Sequence, residues 1–320
     1  MKKFAKTIFL YIIIVAALTA CINETYKHLD RSDRQGIRKF ETMPDDIAIC
    51  NFGSSHGLYG FNYEDMDGVN CFNFALVSQY FSYDKRLFEY YRDHLAEGAV
   101  VFIPVSYFLF FGTGERNDPD FLSKNSRYYS ILPAQMIKEY DVVTAIYEKW
   151  LPATTNPVNL ARALSGKAKE SDDSNMQSAV AGVDLKKNAD AAYKRHIVTD
   201  KLDEAGNRIV NYEEINALKE LIVLCQEGGY EPILVTTPFL KEYTDAIYRG
   251  DASFFEDFYR MVNEICDETG AAYYDYAFDE RFIRNYEWFF DSDHLNREGA
   301  RQFTNILVRE VVHHGAPFHN

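Results

Sequence analysis

One pattern, occurring twice, limits the folds open to this chain. From Tyr212 onward, Ile215, Leu218, Leu221, Ile222 and Cys225 recur at helical spacing. Gly228-Gly229 stops that helix, and Pro232 to Thr237 follows as a β-rich run closed by Pro238. Phe254 to Thr269 repeats the order, with Phe255, Phe258, Val262, Ile265 and Cys266 on one face. Gly270 ends it, and Ala271 to Tyr276 reads as the next strand. Upstream, Asp46 to Phe52 reads as a first strand feeding a tight turn at Gly53, and Val69 to Val77 as a second. Ser78 to Leu95 reads as a helix and Ala99 to Tyr107 as a buried third strand. Helix, glycine and buried strand in succession indicate βα units, whose parallel sheet is covered by helices on both faces. The expected fold is a three-layer α/β/α sandwich around a roughly five-stranded parallel sheet, flavodoxin-like in type. In such sheets the reactive residues sit beyond the carboxyl ends of the strands. Gly53-Ser54-Ser55 lies at that end of the first strand.

The 320 residues, 47% hydrophobic, suffice for one sizeable core. Residues 45–320 are expected to form that domain, with an insertion at about 113–200 after the third strand. Within it, Thr154 to Asn188 is rich in Ser, Ala, Asn and Lys, and reads as a flexible insertion or a loosely packed helical lid. Residues 1–21 read as a targeting segment. Lys2, Lys3 and Lys6 precede a short apolar stretch, Thr7 to Ala17, which ends in Leu18-Thr19-Ala20-Cys21. That ending resembles a bacterial lipobox, which would put a diacyl group on Cys21; an uncleaved signal anchor is the other reading. Residues 22–44, polar and charged, read as a tether. In both cases the domain is exported and held at the outer or periplasmic face of the cytoplasmic membrane. The net charge is -14, and no strongly basic run follows the first residues, which excludes a nucleic-acid partner.

Cys50, Cys71, Cys225 and Cys266 contain no CxxC spacing, so no zinc site is expected. Cys225 and Cys266 read as buried small hydrophobes. Cys50 and Cys71 fall on strands that can be neighbours, which leaves a disulfide open.

Candidate chemistry begins with Phe290-Asp291-Ser292-Asp293-His294-Leu295-Asn296. A carboxylate three residues before a histidine, just ahead of a helix that Asn296 can cap, suits an acid that orients a general base. A serine needs such a base, and donors aimed at the developing oxyanion, to act as a nucleophile. Asp293 competes with Asp291 as the acid. His56 reads as a pocket wall or a solvated turn residue. His196, at the end of the insertion, is a candidate for reaching the pocket. Tyr107, Phe108, Phe110 and Phe111 read as core and rim, with a sugar-stacking or acyl-binding wall as the other reading for the four, Tyr107 foremost as a substrate-binding candidate.

Gly53-Ser54-Ser55 after the first strand, with Asp291-Ser292-Asp293-His294 before the last helix, resembles the SGNH (GDSL-type) hydrolase superfamily. The likeness runs from about Ile47 to Val312, leaving out the insertion. The Gly-Ser-Ser variant is similar to that of teichoic-acid D-alanyl transfer proteins and of exported acyltransferase-like proteins of surface-polysaccharide pathways. The resemblance implies Ser55 as nucleophile, His294 as base and Asp291 as its orienting acid, with no metal or organic cofactor. One departure is clear. Family hydrolases carry a Gly-x-Asn-Asp block after the third strand, where this chain reads Pro104-Val105-Ser106-Tyr107-Phe108. Asn73 is then the expected side-chain donor to the oxyanion, beside the backbone N–H of Ser55, with Gly53 allowing close approach. The implied activity is serine acyl transfer, with esterase and transferase both open, on O-acyl (acetyl) groups of a cell-envelope glycan, with an acyl donor as second partner. A non-catalytic envelope lipoprotein that binds glycan on the same fold is the alternative. The oligomeric state is left open.

Overall fold

The computed structural model describes residues 2–29, 36–114, 121–155, 157–167 and 178–313. Five strands are β1 (Ile47–Asn51), β2 (Cys71–Asn73), β3 (Leu95–Pro104), β4 (Glu231–Thr236) and β5 (Ala272–Asp275). The helices are α1 (Lys2–Leu29), α2 (Ser55–Gly60), α3 (Phe81–Tyr91), α4 (Phe121–Ser126), α5 (Val142–Trp150), α6 (Pro152–Thr155) and α7 (Pro157–Leu164). They continue with α8 (Leu185–Tyr193), α9 (Tyr212–Glu227), α10 (Lys241–Gly250), α11 (Phe254–Thr269) and α12 (Arg297–His313). The chain divides into two compact units, residues 1–41 with 120–174, and residues 42–119 with 175–320.

The second unit is the expected sandwich. Its strands run in the order β2-β1-β3-β4-β5, and every neighbouring pair is parallel. Ile49, Val100, Phe102, Ile233 and Val235 point to one face, where they pack with Phe303, Leu307 and Val311 of α12. The alternate residues Cys50, Val101, Ile103 and Leu234 are fully buried on the other face. The side-chain period of two sends successive residues to opposite faces, so a strand stretch buried on both sides is apolar, as Ala99–Ile103 of β3 and Pro232–Val235 of β4 are. Register also decides the cysteine pair. Cys71 lies opposite Ile49, and Cys50 opposite Phe72. The two thiols leave opposite faces of the sheet, and all five cysteines are free.

Strand order reverses at β1, since the chain passes to β2 on one side and β3 on the other. The loops leaving β1 and β3 therefore open a crevice at their carboxyl ends. Two features hold the β1 loop in shape. Gly53 has φ +108, a conformation that L side chains rarely adopt, and a Cβ there would press on Pro104 at 3.3 Å. Its N–H donates to Asp84 Oδ1 (3.0 Å), a fully buried carboxylate at the start of α3 that also accepts from Gln79 Nε2 (2.6 Å).

Two expected boundaries shift. Residues 175–200, assigned from the sequence to the insertion, belong to the sandwich unit, where α8 packs on α10. Residues 120–174 group instead with the N-terminal segment. Residues 22–29, expected in a tether, continue α1 without a break. No glycine or proline interrupts them, and Asn23 and Tyr26 are buried, with Asn23 Oδ1 accepting from the N–H of Ala153 (2.9 Å). The apolar stretch is correspondingly longer than Thr7 to Ala17. Among the described residues α1 is the one helix long and apolar enough to cross a membrane, and its N-terminal place equally fits a signal sequence. Residues 168–177, part of the expected lid, lie outside the described residues.

Replacing Asp84 with Ala strands the N–H of Gly53 inside the core, which costs about 1–3 kcal/mol. The expected outcome is a lower urea midpoint with an unchanged m-value.

Candidate active site

The Asp291–His294 segment sits at the tip of a narrow loop. Phe290 N–H donates to the carbonyl of His294 (3.0 Å), and Asn296 N–H to that of Trp288 (3.0 Å). Asn296 also caps α12, its Oδ1 accepting from the N–H of Gly299 (2.9 Å). Asp291 Oδ1 accepts from the backbone N–H groups of Asp293 (3.0 Å) and His294 (2.8 Å), which fixes the carboxylate before it meets the imidazole. Asn188 of α8 accepts from the N–H of Ser292 (2.9 Å), tying the tip to the helix that precedes His196.

The structure brings the expected trio together. His294 Nε2 lies 2.9 Å from Ser55 Oγ, and His294 Nδ1 lies 3.1 Å from both carboxylate oxygens of Asp291. Ser55 opens α2, the helix entered through Gly53-Ser54 at the end of β1, and Ser54 makes no side-chain cap. The first-turn N–H groups of a helix have no intrahelical acceptor, so the N–H of Ser55 is a backbone donor beside its own hydroxyl.

A second layer lies behind the trio, most of it unforeseen. Asp293 is fully buried, and its Oδ2 is ringed by His56 Nε2 (3.5 Å), His294 Nδ1 (3.6 Å), His196 Nδ1 (3.8 Å) and Arg195 Nη2 (3.9 Å). His56 is not solvated: it is buried, and its Nδ1 lies 3.0 Å from Ser106 Oγ, which in turn lies 2.9 Å from Ser54 Oγ. Ser106 follows β3, in the region where the Gly-x-Asn-Asp block is missing. It is the side chain that joins the two loops across the crevice. His196 is carried by a π-helical turn, Lys194–Val198, and its Nδ1 pairs with the hydroxyl of Tyr243 (2.9 Å). It therefore joins the site from behind, through Asp293, and its ring meets that of Phe108 at 4.7 Å. One signal was available, since Asp293 and His56 each adjoin an expected catalytic residue. Their directions were not readable, because neighbouring side chains point apart unless a loop turns them.

Two expectations are corrected. Asn73 is not free to serve an oxyanion. Its Nδ2 donates to the carbonyls of Gly57 (3.1 Å), Leu58 (3.2 Å) and Phe61 (3.4 Å), and its Oδ1 accepts from Ala75 N–H and Asn51 Nδ2. It braces α2 from below. Tyr107 is not a pocket wall. It is fully buried in an aromatic cluster with Phe239, Tyr243, Phe254, Phe255 and Phe258, the last at 4.7 Å. The half-buried rings nearest the trio are Tyr59, 5.6 Å from His294, and Phe108.

Charge follows from burial. Burial works against the imidazolium of His294, but the carboxylates of Asp293 and Asp291 outweigh it and push this group up to about 9. Burial would raise Asp293, yet His294, His56 and His196 hold it far below the usual carboxylate range. Burial lowers His56 and His196, which stay neutral. The surrounding carboxylates thus favour protonated His294, paired with the buried carboxylate of Asp293. The donor atoms of His56, Asp293 and His294 fall within 4.8 Å of one another, a spacing that also suits a metal ion. Both nitrogens of His294 are already engaged, by Asp291 and Ser55, so ligation would require breaking one of these contacts.

No protein-family model and no curated protein sequence matches this chain.

Because His294 binds its proton more tightly when folded, the ion pair stabilises the fold fully below pH 6.5, and this contribution fades as pH rises through about 9. Imidazole NMR titration of the sandwich unit is expected to show His294 titrating near that upper value. Asp293→Asn should move the titration toward the ordinary histidine range, and an unmoved titration would rule out Asp293 as the source.

Proposed function

We propose that this chain is an exported, membrane-tethered serine acyl-transfer enzyme of the SGNH type, acting on acetyl or similar small O-acyl groups of a cell-envelope glycan. The carrying observation is Ser55 Oγ at 2.9 Å from His294 Nε2, with Asp291 at 3.1 Å behind it, in the crevice where strand order reverses. Support for tethering is the N-terminal apolar helix.

In this reading Ser55 Oγ attacks the acyl carbonyl and its proton passes to His294 Nε2. The carbonyl oxygen takes up the negative charge, and the N–H of Ser55 donates to it. Asp291 orients the ring, and Asp291 with Asp293 stabilises the imidazolium. His294 then gives the proton to the leaving oxygen or sulfur, leaving an acyl-serine. An acceptor hydroxyl, glycan or water, loses its proton to His294 and takes the acyl group as the bond to Ser55 Oγ breaks, and His294 returns that proton to Ser55 Oγ. Both half-reactions need neutral His294 at the start. Acylation should therefore rise with pH toward about 9. The chemistry to Ser55 is common to esterase and transferase, and the acceptor distinguishes them.

The second reading, a glycan-binding lipoprotein without catalysis, has one observation in its favour: the amide of Asn73 is committed to three carbonyls, so it offers no donor to an oxyanion.

The test is p-nitrophenyl acetate turnover and fluorophosphonate labelling of the full chain, with Ser55→Ala and His294→Ala beside it. Each variant is expected to lose at least about 10³-fold in acylation, and Asp291→Asn roughly 10³–10⁴-fold through loss of ring orientation. Labelling should vanish in Ser55→Ala. A burst without sustained turnover would favour the transferase. Equal behaviour of all four proteins would overturn the catalytic reading in favour of binding.

A further inference from the structure

In the unit formed by residues 1–41 and 120–174, α5 is amphipathic the wrong way round. Its inward side carries Thr144, Ala145 and Glu148, with burial raising the carboxyl of Glu148. Its outward side carries Val142, Val143, Ile146, Tyr147 and Trp150, all exposed, Trp150 at 73%. These five positions follow the i, i+3/i+4, i+7/i+8 spacing that normally faces a core. Val158 and Leu164 of the neighbouring α7 are exposed as well. An apolar helix face left outward marks a surface that something apolar covers.

The chain indicates what covers it. Asn23 and Tyr26 of α1 are buried in this unit, and Asn23 holds the N–H of Ala153 in α6. Trp150 precedes Ala153 by three residues, so the two lie no more than about 11 Å apart. Cys21 precedes Asn23 by two residues, about 3 Å along a helix. A bilayer that holds α1, or acyl chains on Cys21, ends there. Headgroup regions are only about 5–8 Å thick on each side. We propose that α5 is an interfacial helix, lying with its outward apolar face and Trp150 in the headgroup–acyl boundary of the membrane that holds the N-terminus. Both readings of the N-terminus put the bilayer at this point. Tyr147 and Trp150 suit it, since amphipathic rings favour that depth. The inference is independent of the serine chemistry, and either can fail without the other.

The chain has two tryptophans, Trp150 and Trp288, and Trp288 is half-buried in the sandwich unit. The full chain is reconstituted in phosphatidylcholine vesicles brominated either near the headgroups or at the acyl-chain ends. The Trp150 signal is the wild-type emission minus that of Trp150→Phe. At a depth of about 5–10 Å it should fall roughly twofold or more with shallow bromines and less with deep ones. In the doubly substituted V143E/I146E variant, whose changes lie on the exposed face, most of that quenching should disappear. Equal Trp150 emission in plain and brominated vesicles would overturn the proposal. If that signal also resisted a water-soluble quencher, the face would be covered by protein instead. Undiminished quenching in V143E/I146E would overturn it too.

Discussion

Everything at the candidate site answers to one buried charge. Asp293 has no solvent exposure, and an isolated carboxylate in such surroundings is expensive. Three imidazoles surround it, but burial permits only one of them to be cationic. His294 takes the proton because it has two carboxylates, Asp293 and Asp291, while His56 and His196 share only one. The ion pair favours His294 over His56 and His196 as the base of the proposed reaction. The packing behind it is consistent with that: Ser106 pairs with His56 Nδ1 while Nε2 faces Asp293 at 3.5 Å, and His196 lies between Tyr243 and Arg195.

The backbone plan was legible in the sequence because it is a local matter. Apolar periodicity and stop glycines place α9, β4, α11 and β5 within a few residues of their observed limits. The crevice follows from strand order, and the trio from two short segments at its rim. What failed depended on direction. Asn73 stands at the end of β2 beside β1, yet its amide turns toward the carbonyls of α2, where several acceptors converge. Tyr107 has phenylalanines after it in the chain and more in α11, and a ring with so many apolar neighbours goes inward. No spacing rule separates a tyrosine that lines a pocket from one that fills a core.

The N-terminal half misled for a different reason. Charges at Glu24 and Lys27 made residues 22–29 read as tether, although the two pair on one helix side at 2.8 Å and leave Asn23 and Tyr26 to pack. No orientation for α5 was legible in the sequence pattern, and the burial of Ala145 with half-buried Thr144 and Glu148 shows which side faces inward.

A protonated resting base needs a way to become competent. His294 retains a small exposed edge, 11% of its side chain, beside Ser55 and near the ring of Tyr59. A substrate entering there, as the proposed reaction requires, would remove the last water from the imidazolium. Burial is the influence that opposes its charge, so covering the edge shifts His294 toward the neutral form. In the proposed reaction the proton would leave as the carbonyl arrives, and Ser55 would gain its acceptor at that moment. Expulsion of water also decides the second half of the reaction, since an acyl-serine that water cannot reach persists until a hydroxyl of another molecule takes its place. On the proposed acyl-transfer reading, a base held protonated by its own acids would couple the filling of the crevice to the activation of Ser55.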